Sequence, residues 1–404
     1  MEPRKLLDRV VFSPVESVYT RAMTIISDNT DLAAFCDRMA TEEFVCVDTE
    51  FMRERTFYPK LCLIQISGAN EAVAIDPFAD GISLEPVHAL MANPDVLKVF
   101  HACRQDMEIF YLQTKMIPAP LFDTQIGAMV CGHGESVSYD KLVRKLTGVQ
   151  VDKSSRFTDW SHRPLSSAQV GYALSDVTHL RTVYEKLAAQ LKANGRESWL
   201  EEEFAVVSSP ATYELDPRDS WLRLKVKSGK SRFLAVVREL ATYRELEARR
   251  RDIPRNRIMR DDVLLDIAAR APRNPKDLAK VRNISEQFAT GRAGAEILDA
   301  VAKAAALPED ECPRIEQNRD TRQPHPAIVE LLRVLLKQKS EKHQVAQKLI
   351  ANAADLDAIA IADDADVAAL RGWRKKLFGD DALALKAGRL ALAVSGDQVK
   401  LISL

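Results

Sequence analysis

No apolar run in this 404-residue chain approaches the roughly 18–20 residues of a bilayer span, which argues against a membrane-embedded role. An excess of charge is also missing, since 57 Lys and Arg face 58 Asp and Glu for a formal net charge of −1. The molecule as a whole is therefore not a polycation that would coat nucleic acid, and any basic surface must be local. Six cysteines (Cys36, Cys46, Cys62, Cys103, Cys131 and Cys312) form no Cys-x-x-Cys pair and no zinc-site spacing with the seven histidines. Several sit in strand-like apolar runs, where a reduced thiol behaves as a small hydrophobe; this usage points to the cytoplasm. Residues 1–22 lack a signal-peptide core. Met23 opens a run that reads like a natural domain start, so 1–22 is read as an N-terminal extension, dispensable or the product of an upstream start codon.

What is present describes a globular protein, 46% hydrophobic and 28% charged, long enough for two or three domains. Residues 23–191 alternate strands and helices. Strands are expected at 44–48, 61–66, 72–76 and 97–101, the first three joined by short segments that suit an antiparallel meander. A helix over 170–187 closes the region. Periodicity alone gives an α/β domain with a mixed sheet. Residues 192–220 read as a linker, with Asn194-Gly195, Ser208-Ser209-Pro210 and Asp216-Pro217 as breakers. From Arg218 to Arg260 there are fourteen Lys/Arg against five Asp/Glu, a candidate cationic path for RNA or simply a solvated helical face. Helical patterns then mark one all-α module over 221–308. After a break between Pro313 and Pro326 they mark another over 320–404.

Four acids in three segments carry the chemistry. Asp48 and Glu50 end an apolar run in Val-Asp-Thr-Glu-Phe; two apart on a strand, they share one face. Asp106 follows the apolar run 96–100 at an expected helix start, where alone it would answer the helix dipole. Asp176 lies in a helical stretch with Tyr172 one turn before it, so the two share a face. Carboxylates gathered this way repel one another unless cations neutralise them, and all-oxygen ligands suit Mg2+ or Mn2+.

These segments resemble the three exonuclease motifs of the DEDD superfamily, in its tyrosine branch: the histidine position of the other branch is here Gly171. Asp48-Thr-Glu-Phe, Phe57-Tyr-Pro-Lys-Leu-Cys-Leu-Ile-Gln-Ile, Ile75-Asp-Pro, Phe122-Asp-Thr-Gln, Val151-Asp-Lys-Ser and Thr158-Asp-Trp narrow the resemblance to the ribonuclease D family. The resemblance implies a ribonuclease H-like α/β exonuclease domain over 23–191 and two small all-α HRDC-like domains after it. It implies a 3′-to-5′ exoribonuclease that releases 5′-mononucleotides and trims 3′ ends of structured RNA such as transfer RNA precursors. Two Mg2+ or Mn2+ would be held by Asp48, Glu50, Asp106 and Asp176, with Asp48 shared between them and Asp106 acting largely through water. Tyr172 completes the catalytic set; as a phenol with a reference pKa of about 10 it would orient the attacking water rather than act as a base.

Substrate contacts are open. Phe51 and Gln65 lie where a base might stack or bond, and core packing explains both as well. His101 is either a contact to the terminal nucleotide or a polar cap at a strand end. Lys153 and Arg156 would grip backbone phosphates or serve only as loop cations. A DNA exonuclease and a catalytically dead nucleic-acid-binding scaffold are the alternatives, the second disfavoured by the complete acid set. Nothing demands a dimer, so a monomer is expected.

Overall fold

The computed structural model describes residues 24–226, 229–315 and 323–404; the N-terminal extension assigned to 1–22 lies outside them. The described residues fall into two compact units. One comprises those of Met1–Glu50, Leu61–Pro210 and Thr321–Leu404; the other comprises those of Phe51–Lys60 and Ala211–Asp320.

The first unit is built on a six-stranded sheet of order β1-β4-β3-β2-β5-β6. Its strands are β1 (Thr24–Ile26), β2 (Phe44–Met52), β3 (Lys60–Ser67), β4 (Ala72–Ile75), β5 (Leu97–Phe100) and β6 (Leu121–Asp123). β3 and β4 run antiparallel, with Ile64 opposite Ile75. β1 pairs parallel with β4, β5 parallel with β2 and β6 parallel with β5. The four expected strands are all present; the three-residue β1 and β6 are too short to show a period and were not anticipated.

Helices α1 (Asn29–Met39), α2 (Glu85–Ala92), α3 (Arg104–Thr114), α4 (Thr124–Val130), α5 (Tyr139–Thr147) and α6 (Ser167–Asn194) accompany the sheet. α6 starts at a reciprocal capping box: the Ser166 hydroxyl accepts from the Gln169 amide and the Gln169 side chain accepts from the Ser166 amide. It ends at Gly195, whose φ of +62° supplies the left-handed C-terminal turn. Between them Leu174, Val177, Leu180, Tyr184 and Leu187 form its buried face. Tyr184 is fully buried, its ring edge-on to Phe44 at 4.7 Å and to Phe122 at 5.0 Å. Burial of such a side chain contributes about 1.5–3 kcal/mol, and here it fixes α6 against strands on either side of β5.

Two expectations for the C-terminal half are corrected. Much of the segment read as a linker is ordered structure: Glu201–Val207 is helical, and Phe204 packs edge-on to Phe122 at 5.4 Å. Its breakers bound elements rather than mark free chain: Gly195 and Ser208 follow helix ends, and Asp216 caps the start of the turn of helix Pro217–Arg223. The last module is not all-helical either. Strands β7 (Leu390–Ser395) and β8 (Gln398–Ser403) form a hairpin joined by Gly396 and Asp397, with Gly396 at φ +64° as a two-residue turn demands. The module from 323 onward also packs on α4 and on the segment after α6 rather than as a free-standing repeat. Ala346 N–H donates to Met129 O, Arg196 donates to His343 O at 2.7 Å, and Trp199 stacks on Trp373 at 4.1 Å.

The second unit centres on the helix Ser231–Arg251, around which Leu234, Val237, Leu240, Leu264, Ile267, Leu278 and Ile297 make a core. The chain tip Phe51–Lys60 belongs to it: the Asp252 carboxylate accepts from the Phe57 and Tyr58 amides at 3.0 Å each. Part of its basic stretch is paired within the unit. Arg249 and Arg255 converge on buried Glu245, Arg244 reaches Asp261, Arg250 pairs with Glu247 and Arg260 with Asp262. Glu245 and Glu247 are each shared between two arginines, so pairing takes up part of the cationic excess and not all of it.

Candidate active site

Asp48 and Glu50 point the same way from β2, and Asp176 meets them from the third turn of α6. One carboxylate oxygen from each lies within 4.8 Å of the others, and all three groups are half-buried. Strand alternation brings the first two together, and the capping box that sets where α6 begins fixes the third.

Asp106, in the first turn of α3, stands back from this trio and is buried. Thr49, the residue between Asp48 and Glu50, donates its hydroxyl to the Asp106 carboxylate. The turn ahead of α3 is shaped by Asp123 at the end of β6. Its carboxylate accepts from Ala102 N–H and Cys103 N–H at 2.9 Å and from Gln125 N–H at 2.7 Å, while Ala102 adopts φ +59°. Neither Thr49 nor Asp123 was singled out from the sequence.

The electrostatics are those of an anion cluster short of counter-charge. Burial pushes Asp48 up to about 7 and, with the nearby carboxylates adding, Glu50 up to about 10. Asp176 is pushed up to about 8 by burial and by Asp48, against a hydrogen bond from Tyr172 and the charge of Arg156. Asp106 rises for the same reasons of burial and Asp48. Burial and the neighbouring carboxylates likewise raise the Tyr172 phenol, which keeps its proton while hydrogen-bonding to Asp176. Buried carboxylates at this spacing either retain protons or accept cations, and an all-oxygen set fits hard divalent ions. The residues present therefore suit the metal that the sequence calls for.

A loop between α5 and α6 frames one side. Trp160 is buried with its ring 6.0 Å from that of Tyr172. Arg163 holds the loop to the sheet, with two bonds to Asp76 at 2.6 and 2.7 Å and one to Cys62 O at 2.7 Å. Asp76 is the acid of the Ile75-Asp-Pro segment, which thus acts as an anchor.

The substrate candidates fare unevenly. Gln65 is completely buried, and neither amide atom has a hydrogen-bond partner among the described residues, so it is not a surface that RNA can touch. His101 is engaged inside the protein: Nδ1 lies 2.9 Å from the Thr124 hydroxyl and Nε2 lies 3.1 Å from Val137 O. It is the polar cap at a strand end, and a side chain satisfied on both nitrogens has none left for a nucleotide. Lys153 pairs with Asp140 at 2.5 Å on the rim of a surface cavity of about 590 Å³. Arg156 is exposed, and its charge reaches Glu50 and Asp176. Phe51 belongs to the second unit.

Comparison with known proteins agrees with this geometry. Residues 23–192 match the family model described as a 3′-5′ exonuclease, and residues 233–301 match the HRDC domain. The chain is 50% identical to ribonuclease D of Granulibacter bethesdensis, over 94% of this chain and 96% of that protein. Ribonuclease D of Acidiphilium cryptum is also 50% identical, over 94% of this chain and 97% of that one. Among solved structures, Escherichia coli RNase D, described as an exoribonuclease involved in structured RNA processing, superposes with a TM-score of 0.77. That match has 28% identity and covers 91% of this chain and 99% of the other.

Proposed function

The chain belongs to the ribonuclease D family of hydrolytic 3′-to-5′ exoribonucleases, and from that premise we propose that it trims the 3′ ends of structured RNA, transfer RNA precursors above all. Each cycle releases one 5′-mononucleotide with the help of two divalent cations, Mg2+ or Mn2+. The observation that carries this reading is the convergence of Asp48, Glu50 and Asp176 to within 4.8 Å. Asp48, Glu50 and Asp176 would hold one cation, Asp48 would be shared with a second, and Asp106 would act from behind through water. When bound, such ions supply Lewis acidity and an activated water at neutral pH.

The chain's own groups do the rest. The three carboxylates set where the terminal phosphodiester can sit, because phosphate approaches them only where their charge is neutralised. Tyr172 orients the attacking water with its hydroxyl, and the same surroundings that raise its pKa disqualify it as a base. Asp106, gripped by Thr49, has little freedom to move, which keeps the pocket's back wall in place. Arg156 is the favoured phosphate contact; Lys153 would first have to leave Asp140.

Residues 23–191 are assigned as the catalytic domain, 221–308 as the first HRDC-like module and 320–404 as a second, the last on size and position. All six cysteines are free thiols and five are buried, which fits a reducing cytoplasm. A monomer suffices, since one chain supplies every group named.

The test is digestion of a transfer RNA precursor carrying a 3′ extension by the intact protein and by Asp48→Asn. Stepwise shortening by the first and none by the second is expected. Equal rates on single-stranded DNA would favour the DNA exonuclease alternative, and no shortening by the intact protein would overturn the reading.

A further inference from the structure

Phe157 is 91% exposed, on the loop between α5 and α6. A single exposed apolar residue is ordinary in itself. What sets this one apart is how firmly its neighbours are held. Ser155 is buried; the Thr158 hydroxyl donates to Ser155 O at 2.8 Å and accepts from the Gln169 amide on α6 at 3.2 Å. Trp160 is buried beside Tyr172, and Arg163 clamps the far end of the loop to Asp76. The backbone after Phe157 is thus tied to the helix that carries Tyr172 and Asp176, while its ring stands exposed.

The second observation is Arg156. Its guanidinium lies over the Phe157 ring, 5.1 Å from the centroid. One loop therefore presents a flat aromatic face and a cation beside a carboxylate cluster. A single RNA strand brings the matching groups: a base with a π-face and a phosphate next to it.

We propose that Phe157 is the stacking platform for a base of the RNA strand held at the carboxylate site, with Arg156 taking the adjoining phosphate. This rests on the exoribonuclease reading and adds to it a positioning residue for the substrate. Stacking tolerates any base, because every base has a π-face, so the platform suits an enzyme that must step through arbitrary sequence. It also requires an unpaired end, because a base inside a duplex has both faces covered.

The experiment measures steady-state hydrolysis by the full chain with Mg2+, comparing wild type, Phe157→Ala and Phe157→Trp on a short single-stranded RNA. A second substrate is identical except that abasic units replace its 3′-terminal nucleosides. Phe157→Ala is expected to raise KM about tenfold on the natural RNA, equivalent to about 1.4 kcal/mol. KM on the abasic substrate is expected to be the same for both proteins, and Phe157→Trp to restore tight binding of the natural one. Equal KM values for wild type and Phe157→Ala on natural RNA would overturn the proposal. So would an equal rise on both substrates, which marks a merely structural role. Wild type inactive on both substrates would sink the exoribonuclease reading itself, whereas an active wild type with an indifferent Phe157→Ala sinks the platform alone.

Discussion

The residue between Asp48 and Glu50 on β2 is the one that holds Asp106: the Thr49 hydroxyl donates to the Asp106 carboxylate across 57 positions of sequence. The strand thus supplies two acids by its alternation and pins another with the intervening side chain. Replacing Thr49 by Val keeps the shape but leaves a buried carboxylate without this donor, a cost of about 1–3 kcal/mol in the ion-free protein. Thr49→Val is expected to lower kcat about tenfold and to raise the Mg2+ concentration for half-maximal activity, while Thr49→Ser retains both. A Mg2+ titration of RNA hydrolysis checks this, and a Thr49→Val curve that overlays wild type would refute the positioning role.

The carboxylate cluster makes the stability of the ion-free protein depend on pH in an unusual direction. Asp48, pushed up to about 7, and Asp176, pushed up to about 8, hold protons in the folded chain that ordinary carboxyls in the unfolded chain have released. The folded state binds more protons across that window, so stability is highest on the acid side and falls as pH rises through those values. In EDTA the thermal midpoint is expected to drop from about pH 6 to about pH 8.5. Asp48→Asn should flatten that slope and raise the midpoint at pH 8 by about 2 °C or more. Saturating Mg2+ should remove the slope in wild type, because the cations replace the protons. A wild-type melting curve in EDTA that is flat over this range contradicts the assignment.

Tyr172 donates to Asp176 and keeps its proton, so its phenol can hold a water but cannot deprotonate one. Tyr172→Phe removes one hydroxyl and leaves the three carboxylates of the cluster. Turnover is expected to fall about 10²-fold, the low end for loss of a positioned proton-handling group. The Mg2+ requirement should stay near wild type. Rapid-quench measurement of single-nucleotide release, alongside metal titration, separates the two effects; a wild-type turnover rate for the variant is the result that removes Tyr172 from the site.

The clustered carboxylates and Tyr172 were legible because each sits in a short motif whose local geometry is fixed by one period: two along a strand for Asp48 and Glu50, four along a helix for Tyr172 and Asp176. Their supports were not. Asp123 acts on a turn 20 positions upstream, and Arg163 binds Asp76 87 positions away, distances over which no local pattern carries information. The readings of Gln65 and His101 stayed open for a related reason, since burial is decided by what packs over a strand rather than by the strand itself. The hairpin left a trace in the turn pair Gly396-Asp397, but 390–394 is apolar throughout and continues the Ala- and Leu-rich pattern before it, so no change of period shows.

The C-terminal module is fastened through Arg374, which is 4% exposed. Its guanidinium donates to Leu349 O at 2.6 Å, to Glu203 at 2.9 Å and to Glu202. Next to it Trp373 lies flat on Trp199, 4.1 Å between centroids. Removing one side of a buried ion pair leaves the other uncompensated, typically at about 3–5 kcal/mol; with Glu202 56% exposed, water takes up part of that and about 2 kcal/mol is expected. Arg374→Met should therefore lower the thermal midpoint and split the transition, with the stacked tryptophans changing fluorescence in the first step. Adding Glu202→Gln and Glu203→Gln to Arg374→Met should recover part of the loss, because the stranded charges go with the arginine. A single unshifted transition in Arg374→Met would show that the apolar contacts alone hold the module.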